Sequence, residues 1–317
     1  MMSLDYRILY REELSGDELA ERSREWTLFI SAVNDTERVR DIFAQVNAAS
    51  KHWLVHDEYG YAADELPTDD CFRPGLANEA EFWHTYAQQA NPDTGGTVCL
   101  DLTGFMRPHV AYFAAWMFGQ GTDRFLALYT EPKHYKSQES TEFTLGTVNE
   151  VRQIAGFEGV HGTDASNDLL IIGVGFEDEL IRRAANDKPG ARKLQLIGLP
   201  SLHADMYQQS VLQASQAVDD SSPPSVLFAP ANDPFVTAQV LRDRVTQEDE
   251  RKPITNLYLA ALGTKPQTLG FALYYLTERQ HTATSMLFPY CERYSRDAST
   301  GTARIWLYDV QRLTATN

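Results

Sequence analysis

Cysteine is scarce in this 317-residue chain: Cys71, Cys99 and Cys291 are odd in number and far apart, so they form neither a disulfide framework nor a paired-cysteine metal knuckle. Long apolar runs are lacking as well. The longest, Val110–Phe118, falls well short of the about 20 residues that cross a bilayer. Met1–Leu14 carries Asp5, Arg7, Arg11, Glu12 and Glu13, which leaves no apolar centre for a secretory leader. Basic charge is in short supply too, with 28 Lys+Arg against 44 Asp+Glu and a formal net charge of −16. That average field repels a long nucleic-acid backbone but still permits a local basic pocket for a small anion. No GxSxG elbow, HExxH helix or Walker loop occurs. What is present, 43% hydrophobic and 23% charged residues, fits a globular fold. These absences together describe a cytoplasmic protein without a membrane span, a resident metal or a cofactor.

The chain contains an internal repeat. Leu28–Val33 lies over Leu170–Gly175 at an offset of 170 − 28 = 142, and the same offset places Asp35 and Glu37 over Glu177 and Glu179 and Arg40 over Arg182. Arg107-Pro108 lies over Lys265-Pro266 at 265 − 107 = 158, followed by Phe113-Ala114 over Phe271-Ala272. What recurs is an order of elements: buried strand, acidic turn, helix, strand, long excursion, strand, basic-Pro turn, apolar helix, strand. Strands are expected at Leu28–Val33, Trp53–Val55, Val98–Leu102 and Phe125–Tyr129, then at Leu169–Val174, Leu194–Leu199, Val226–Ala229, Asn256–Ala261 and Ser285–Phe288. Tyr6–Tyr10 and Arg304–Val310 would add edge strands. Helix starts are signalled by Ser15 with Glu18, Asn78 with Glu81, and Asp233-Pro234. The polar segments Lys136–Thr147 and Gly156–Asn167 suggest a boundary between halves 1–155 and 156–317, and Asp219–Ser225 reads as a surface loop. The expectation is an α/β protein of two similar Rossmann-like halves with mostly parallel sheets, related by a pseudo-twofold.

In such sheets ligands bind beyond the carboxyl ends of the strands, where strand order reverses. Four turns fall there. Two follow the first strands and supply Ser31, Asn34 and Asp35, and Gly175, Phe176 and Glu177. Two follow the later strands and supply Thr103, Gly104 and Arg107, and Gly263, Thr264 and Lys265. Each basic-Pro turn brings a cation beside the free N–H groups of a helix start, an arrangement that suits phosphate, with glycine allowing close backbone approach. The acidic turns could contact ribose hydroxyls, hold a metal or transfer protons; they could equally cap the next helix. His52 and His56 are four apart but on a strand, where they sit about 13 Å apart and read as partly exposed side chains rather than zinc ligands. His56-Asp57-Glu58-Tyr59, beyond that strand, is a better site candidate. Tyr112, Phe113, Trp116 and Phe118 have the spacing of a helix face packed on the sheet, and Cys291 reads as an inert thiol. Tyr290, Arg293, Tyr294 and Arg296 form a basic-aromatic cluster on which a base could stack.

Leu102-Thr103-Gly104 with Arg107, and Leu262-Gly263-Thr264-Lys265-Pro266, resemble the strand–Thr/Gly–Lys turn of CARF domains, and the duplication resembles SAVED domains. The resemblance covers these turns and the repeat. It departs at Phe105-Met106, where the family favours Gly-Thr, and no effector domain is attached. It implies a sensor of a cyclic oligonucleotide or other nucleotide in bacterial antiviral defence, acting through a separate effector protein rather than by catalysis. Two other readings stay open: a nucleotide hydrolase or transferase using Glu177 or Asp178, and a ligand-free scaffold whose turns are plugged by side chains such as Phe105.

Overall fold

Leu28–Ala32 is buried along its entire length, the pattern of a strand covered on both faces. It is β2 of a sheet in the computed structural model, which describes residues 4–75, 78–135, 144–203 and 225–314 together with 208, 211 and 212. The segments expected as linkers at 136–147 and 219–225 fall mostly outside the described residues.

The chain forms two compact units. The first comprises Leu9–Gly146 and Glu292–Arg312; the second comprises Met1–Ile8, Thr147–Cys291 and Leu313–Asn317. In the first, the strand order is β1-β13-β6-β5-β2-β3-β4. These are Arg11–Leu14, Ser299–Gln311, Arg124–Tyr135, Val98–Asp101, Leu28–Ala32, Ser50–Leu54 and Cys71–Phe72. The five from β6 to β4 run parallel. β13 lies antiparallel to β6, and β1 antiparallel to β13. In the second unit the order is β10-β9-β8-β11-β12-β7, namely Ser225–Ala229, Arg192–Gly198, Leu169–Gly173, Leu257–Ala261, Thr284–Tyr294 and Thr144–Gln153. β10, β9, β8, β11 and β12 are parallel. Both sheets are therefore mostly parallel and Rossmann-like, and strand order reverses between β2 and β5 in one and between β8 and β11 in the other.

The helices α1 (Gly16–Arg22), α2 (Glu37–Gln45), α3 (Glu79–Ala90), α4 (Arg107–Gly119), α5 (Asp178–Asp187), α6 (Pro234–Arg251) and α7 (Lys265–Tyr274) start where local chemistry places them. Ser15 and Glu18 form a reciprocal capping box on α1. Asn78 Oδ1 accepts from Glu81 N at 2.9 Å, and Asp233 Oδ1 accepts from Phe235 N and Val236 N, each at 3.0 Å. α2 and α5, and α4 and α7, occupy matching places in the repeated order of elements.

Three expectations change. Tyr6–Ile8 is a 3-10 turn rather than an edge strand, pinned by Tyr6 N to Gln239 Oε1 at 3.0 Å and by Tyr6 Oη to Glu278 Oε1 at 2.9 Å. The Arg304–Val310 run is not an edge: β13 lies between β1 and β6. A single boundary at 155/156 accounts for neither chain end, because β13 completes the first unit and residues 4–8 pack in the second. The reason is burial. Phe125–Glu131 of β6 is buried throughout, and β13 covers its outer edge while adding Ile305 and Leu307 to the core around Trp26, Phe29, Cys99, Leu126 and Leu128. Another aromatic layer, with Trp83 against Phe113 at 5.0 Å and Trp116 at 5.5 Å, packs α3 and α4 together.

Candidate functional site

The carboxyl ends of β2 and β5 meet at the first unit's order reversal. Ser31 Oγ donates to Asp101 Oδ2 at 2.8 Å, Thr103 N to Asp101 Oδ1 at 2.9 Å, and Thr130 N to Thr103 Oγ1 at 3.0 Å. Asp101 is fully buried, and the Ser31 and Thr103 donors compensate a carboxylate that burial alone would disfavour. Gly104 serves this junction: a β-carbon there would lie 2.5 Å from the Ala32 carbonyl oxygen. Phe105 is buried against Trp83, 5.6 Å away and nearly parallel, and against His56 at 5.3 Å.

Around this junction lies a ring of polar groups. Asn34 Oδ1 accepts from Thr36 N at 3.1 Å and Thr36 Oγ1 at 2.7 Å, holding the entry to α2. Asp35 pairs with Arg40, so this acidic turn is engaged in organising its own helix. Buried Arg38 donates Nε to Ser299 Oγ at 2.9 Å and Nη1 to the Thr130 carbonyl at 2.7 Å. Tyr59 donates its hydroxyl to the Gly104 carbonyl at 2.8 Å. Burial and the neighbouring Glu58 push that hydroxyl's pKa up, while Arg38, Arg107 and a hydrogen bond from Asn34 oppose the shift, which places Tyr59 among all four. The hydroxyls of Tyr61 and Thr130 are buried and find no hydrogen-bond partner among the described residues.

The segment after β3 contributes most. Glu58 has its carboxyl pKa raised by burial; its own backbone N–H opposes this, and the carboxylates of Asp57 and Glu79 reinforce it. His56 stacks on Phe82 at 4.9 Å and meets the His109 ring at 4.5 Å. His52 and His56 are both buried, correcting the expected partial exposure. His52 bonds Tyr86 Oη at 2.7 Å and Ser50 Oγ at 2.9 Å through its two ring nitrogens, and burial lowers its pKa. The raised Glu58 carboxyl, beside Asp57 and Glu79, can move a proton, while Arg38 and Arg107, which act on the neighbouring Tyr59, can seat an anion.

The second unit's reversal is filled by its own chain. A β-carbon on Gly175 would lie 2.2 Å from the Leu262 carbonyl oxygen, and one on Gly263 would lie 2.4 Å from Gln267 Oε1. Thr264 donates its hydroxyl to the Ala231 carbonyl and forms a capping box with Gln267, so α7 begins already capped. Lys265 is the first residue of α7 and is half-buried, as are Phe176 and Glu177 before α5. Asp178 and Glu179 pair with Arg182, and Glu179 also with Arg183. Among the described residues, no group of three His, Cys, Asp or Glu side chains is arranged to hold a metal ion.

The structure thus brings Ser31, Asn34, Asp35, Thr103, Gly104 and Arg107 to one sheet edge, and Gly175, Phe176, Glu177, Gly263, Thr264 and Lys265 to another in a different unit. Sequence reasoning missed Arg38, Tyr61, Thr130 and the role of Arg296; the one available signal was the His56–Tyr59 run beyond a strand. Arg296 does not form a stacking cluster with Tyr290: its guanidinium lies 4.4 Å from the Tyr61 ring, and Arg152 covers Tyr290 at 3.7 Å.

No protein-family model matches the chain, and no curated protein matches it. Among solved structures, it is similar to CobK precorrin-6A reductase, at 13% identity over 79% of this chain and 84% of that one, with a TM-score of 0.23. A likeness of that size assigns no activity. The functional expectation is corrected: none of these comparisons supports a nucleotide sensor of antiviral defence. In addition, Gly104 and Gly175 sit against the chain's own backbone, Gly263 against the Gln267 side chain, and Thr264 donates to the Ala231 carbonyl. The nucleotide hydrolase and scaffold readings fall with that expectation. Glu177 and Asp178 lie at the start of α5, where Asp178 is paired with Arg182, and Phe105 packs into the aromatic core instead of plugging a site.

Proposed function

We propose that the first unit binds a small organic anion at the carboxyl ends of β2, β3, β5 and β6, with Arg107 and the opening N–H groups of α4 facing its charge and Glu58 serving in proton transfer. The observation carrying this reading is the buried, unpartnered Tyr61 hydroxyl on the loop where Tyr59 lies in the field of Arg38 and Arg107. Buried polar groups are ordinarily satisfied, and one left over at a strand-order reversal, with Asp35 as well as Arg296 and Arg40 acting on it, is what a ligand oxygen would complete. α4 supports it, because Met106 provides no side-chain cap and leaves the helix start to other acceptors. Cys71, Cys99 and Cys291 are not joined in disulfides, which fits a reducing, cytoplasmic setting.

Thermal melts across a panel of inorganic phosphate, sugar phosphates, and mono- and dicarboxylates, each at millimolar concentration, test the reading. At least one anion should raise the melting temperature of the native protein while neutral sugars do not. Arg107→Ala should then weaken that anion by about 10–100-fold, as expected for losing a charge-assisted hydrogen bond of about 1.5–3 kcal/mol. A native protein indifferent to every anion, or an Arg107→Ala variant that binds equally well, would overturn it.

A further inference from the structure

Between β12 and β13 the chain passes through Ser295–Ala298, and Arg296 ties this short strap to both walls of the first unit's carboxyl edge. Its backbone oxygen accepts from Asp35 N at 3.2 Å, on the turn after β2. Its guanidinium donates Nη1 to Glu65 Oε1 at 2.9 Å and Nη2 to the Gly60 carbonyl at 3.0 Å, and lies over the Tyr61 ring, all on the loop after β3. The far end of the strap is anchored separately. Ser299 Oγ accepts from Arg38, and Gly301 N donates to Glu37 Oε2 at 2.8 Å, both on α2.

We propose that Ser295–Ala298 is a gate over the carboxyl edge of β2 and β3, closing on the loop that carries Tyr59 and Tyr61, latched by Arg296 and hinged at Ser299–Gly301. Two features suit a latch rather than a permanent seal. The Arg296 side chain is 30% exposed and Glu65 46% exposed, so their ion pair is weak in water and further weakened by salt. The hinge, by contrast, rests on buried Arg38 and Ser299 and keeps its place when the latch opens. There is also a route inward. Tyr59, next to the latched Gly60 and Tyr61, bonds the Gly104 carbonyl at 2.8 Å, so releasing the loop loosens the turn between β5 and α4. What passes the gate rests on the anion-binding reading; the gate itself does not.

Hydrogen exchange followed by mass spectrometry on the full chain, without ligand, tests it. Arg296→Ala should speed exchange about tenfold in the peptide spanning Thr103–Met106, to which Arg296 makes no hydrogen bond or ion pair among the described residues, as well as in 57–65. Glu65→Gln, and the native protein in 0.5 M NaCl, should give a smaller acceleration in the same two places. Acceleration confined to 35 and 57–65 would overturn the gate and leave Arg296 a local brace. Should Arg296→Ala loosen the whole sheet, Glu65→Gln decides by the same criterion. A second arm adds 10 mM inorganic phosphate to the native protein. Protection of Thr103–Met106 tests the anion reading, so its failure is distinguishable from failure of the gate.

Discussion

Glu58 shows how a single side chain can reveal a site that spacing alone leaves ambiguous. Burial raises its carboxyl pKa, so the folded protein holds a proton there that the unfolded chain releases near the ordinary glutamate value of 4.5. The native state binds more protons between that value and the raised one, and stability therefore falls as pH rises through this window. Glu58→Gln removes the cost. Thermal melts should show the variant gaining on the native protein at pH 7 and the gain vanishing by pH 4; a constant difference across that range would mean the carboxyl is not strained. The sequence carried part of this, since His56-Asp57-Glu58-Tyr59 follows a strand and invites attention. It could not show that Arg38, bonded to Thr130 from 92 residues away, and Arg107 both act on Tyr59, because those neighbours are set by tertiary packing.

At the level of elements, turns and helix starts were readable because their determinants are local. Ser15 with Glu18, Asn78 and Asp233 cap helices as their side chains dictate, and the buried runs of β2, β5, β8 and β11 stand where apolar stretches stand. The glycines carry two meanings for an equally physical reason. A glycine beyond a strand reads the same whether a ligand or a neighbouring turn comes close. Here turn meets turn: Gly104 against Ala32, Gly175 against Leu262. A methyl at Gly104 would push against the backbone and β-carbon of Ala32, neither of which can swing aside, so Gly104→Ala should cost about 1–3 kcal/mol in denaturant unfolding. A neutral result would mean that the β2–β5 junction yields more readily than backbone usually does. β4, only Cys71–Phe72, and β7 escaped notice because two residues have no periodicity and Thr144–Gln153 is polar.

At the level of the whole molecule, the repeat gave the fold plan but not the division of the chain. Pairing of β13 with β6 joins residues such as Trp306 and Tyr129, and no local pattern reports which strand a distant tail will choose. It follows that a fragment of residues 1–155 lacks β13 and leaves a buried strand uncovered, whereas 9–146 joined through a flexible linker to 292–312 has a complete sheet. The first should be aggregated or molten and the second should melt cooperatively by circular dichroism; a cooperative melt of 1–155 would refute the role assigned to β13. The same arrangement governs how the protein is made. A ribosome has finished Gly146 long before it reaches Ser299, 299 − 146 = 153 residues later, or about 8–30 s at roughly 5–20 residues per second. Throughout that interval the nascent polypeptide displays the uncovered rim of β6, a ready target for holding chaperones until translation supplies its cover.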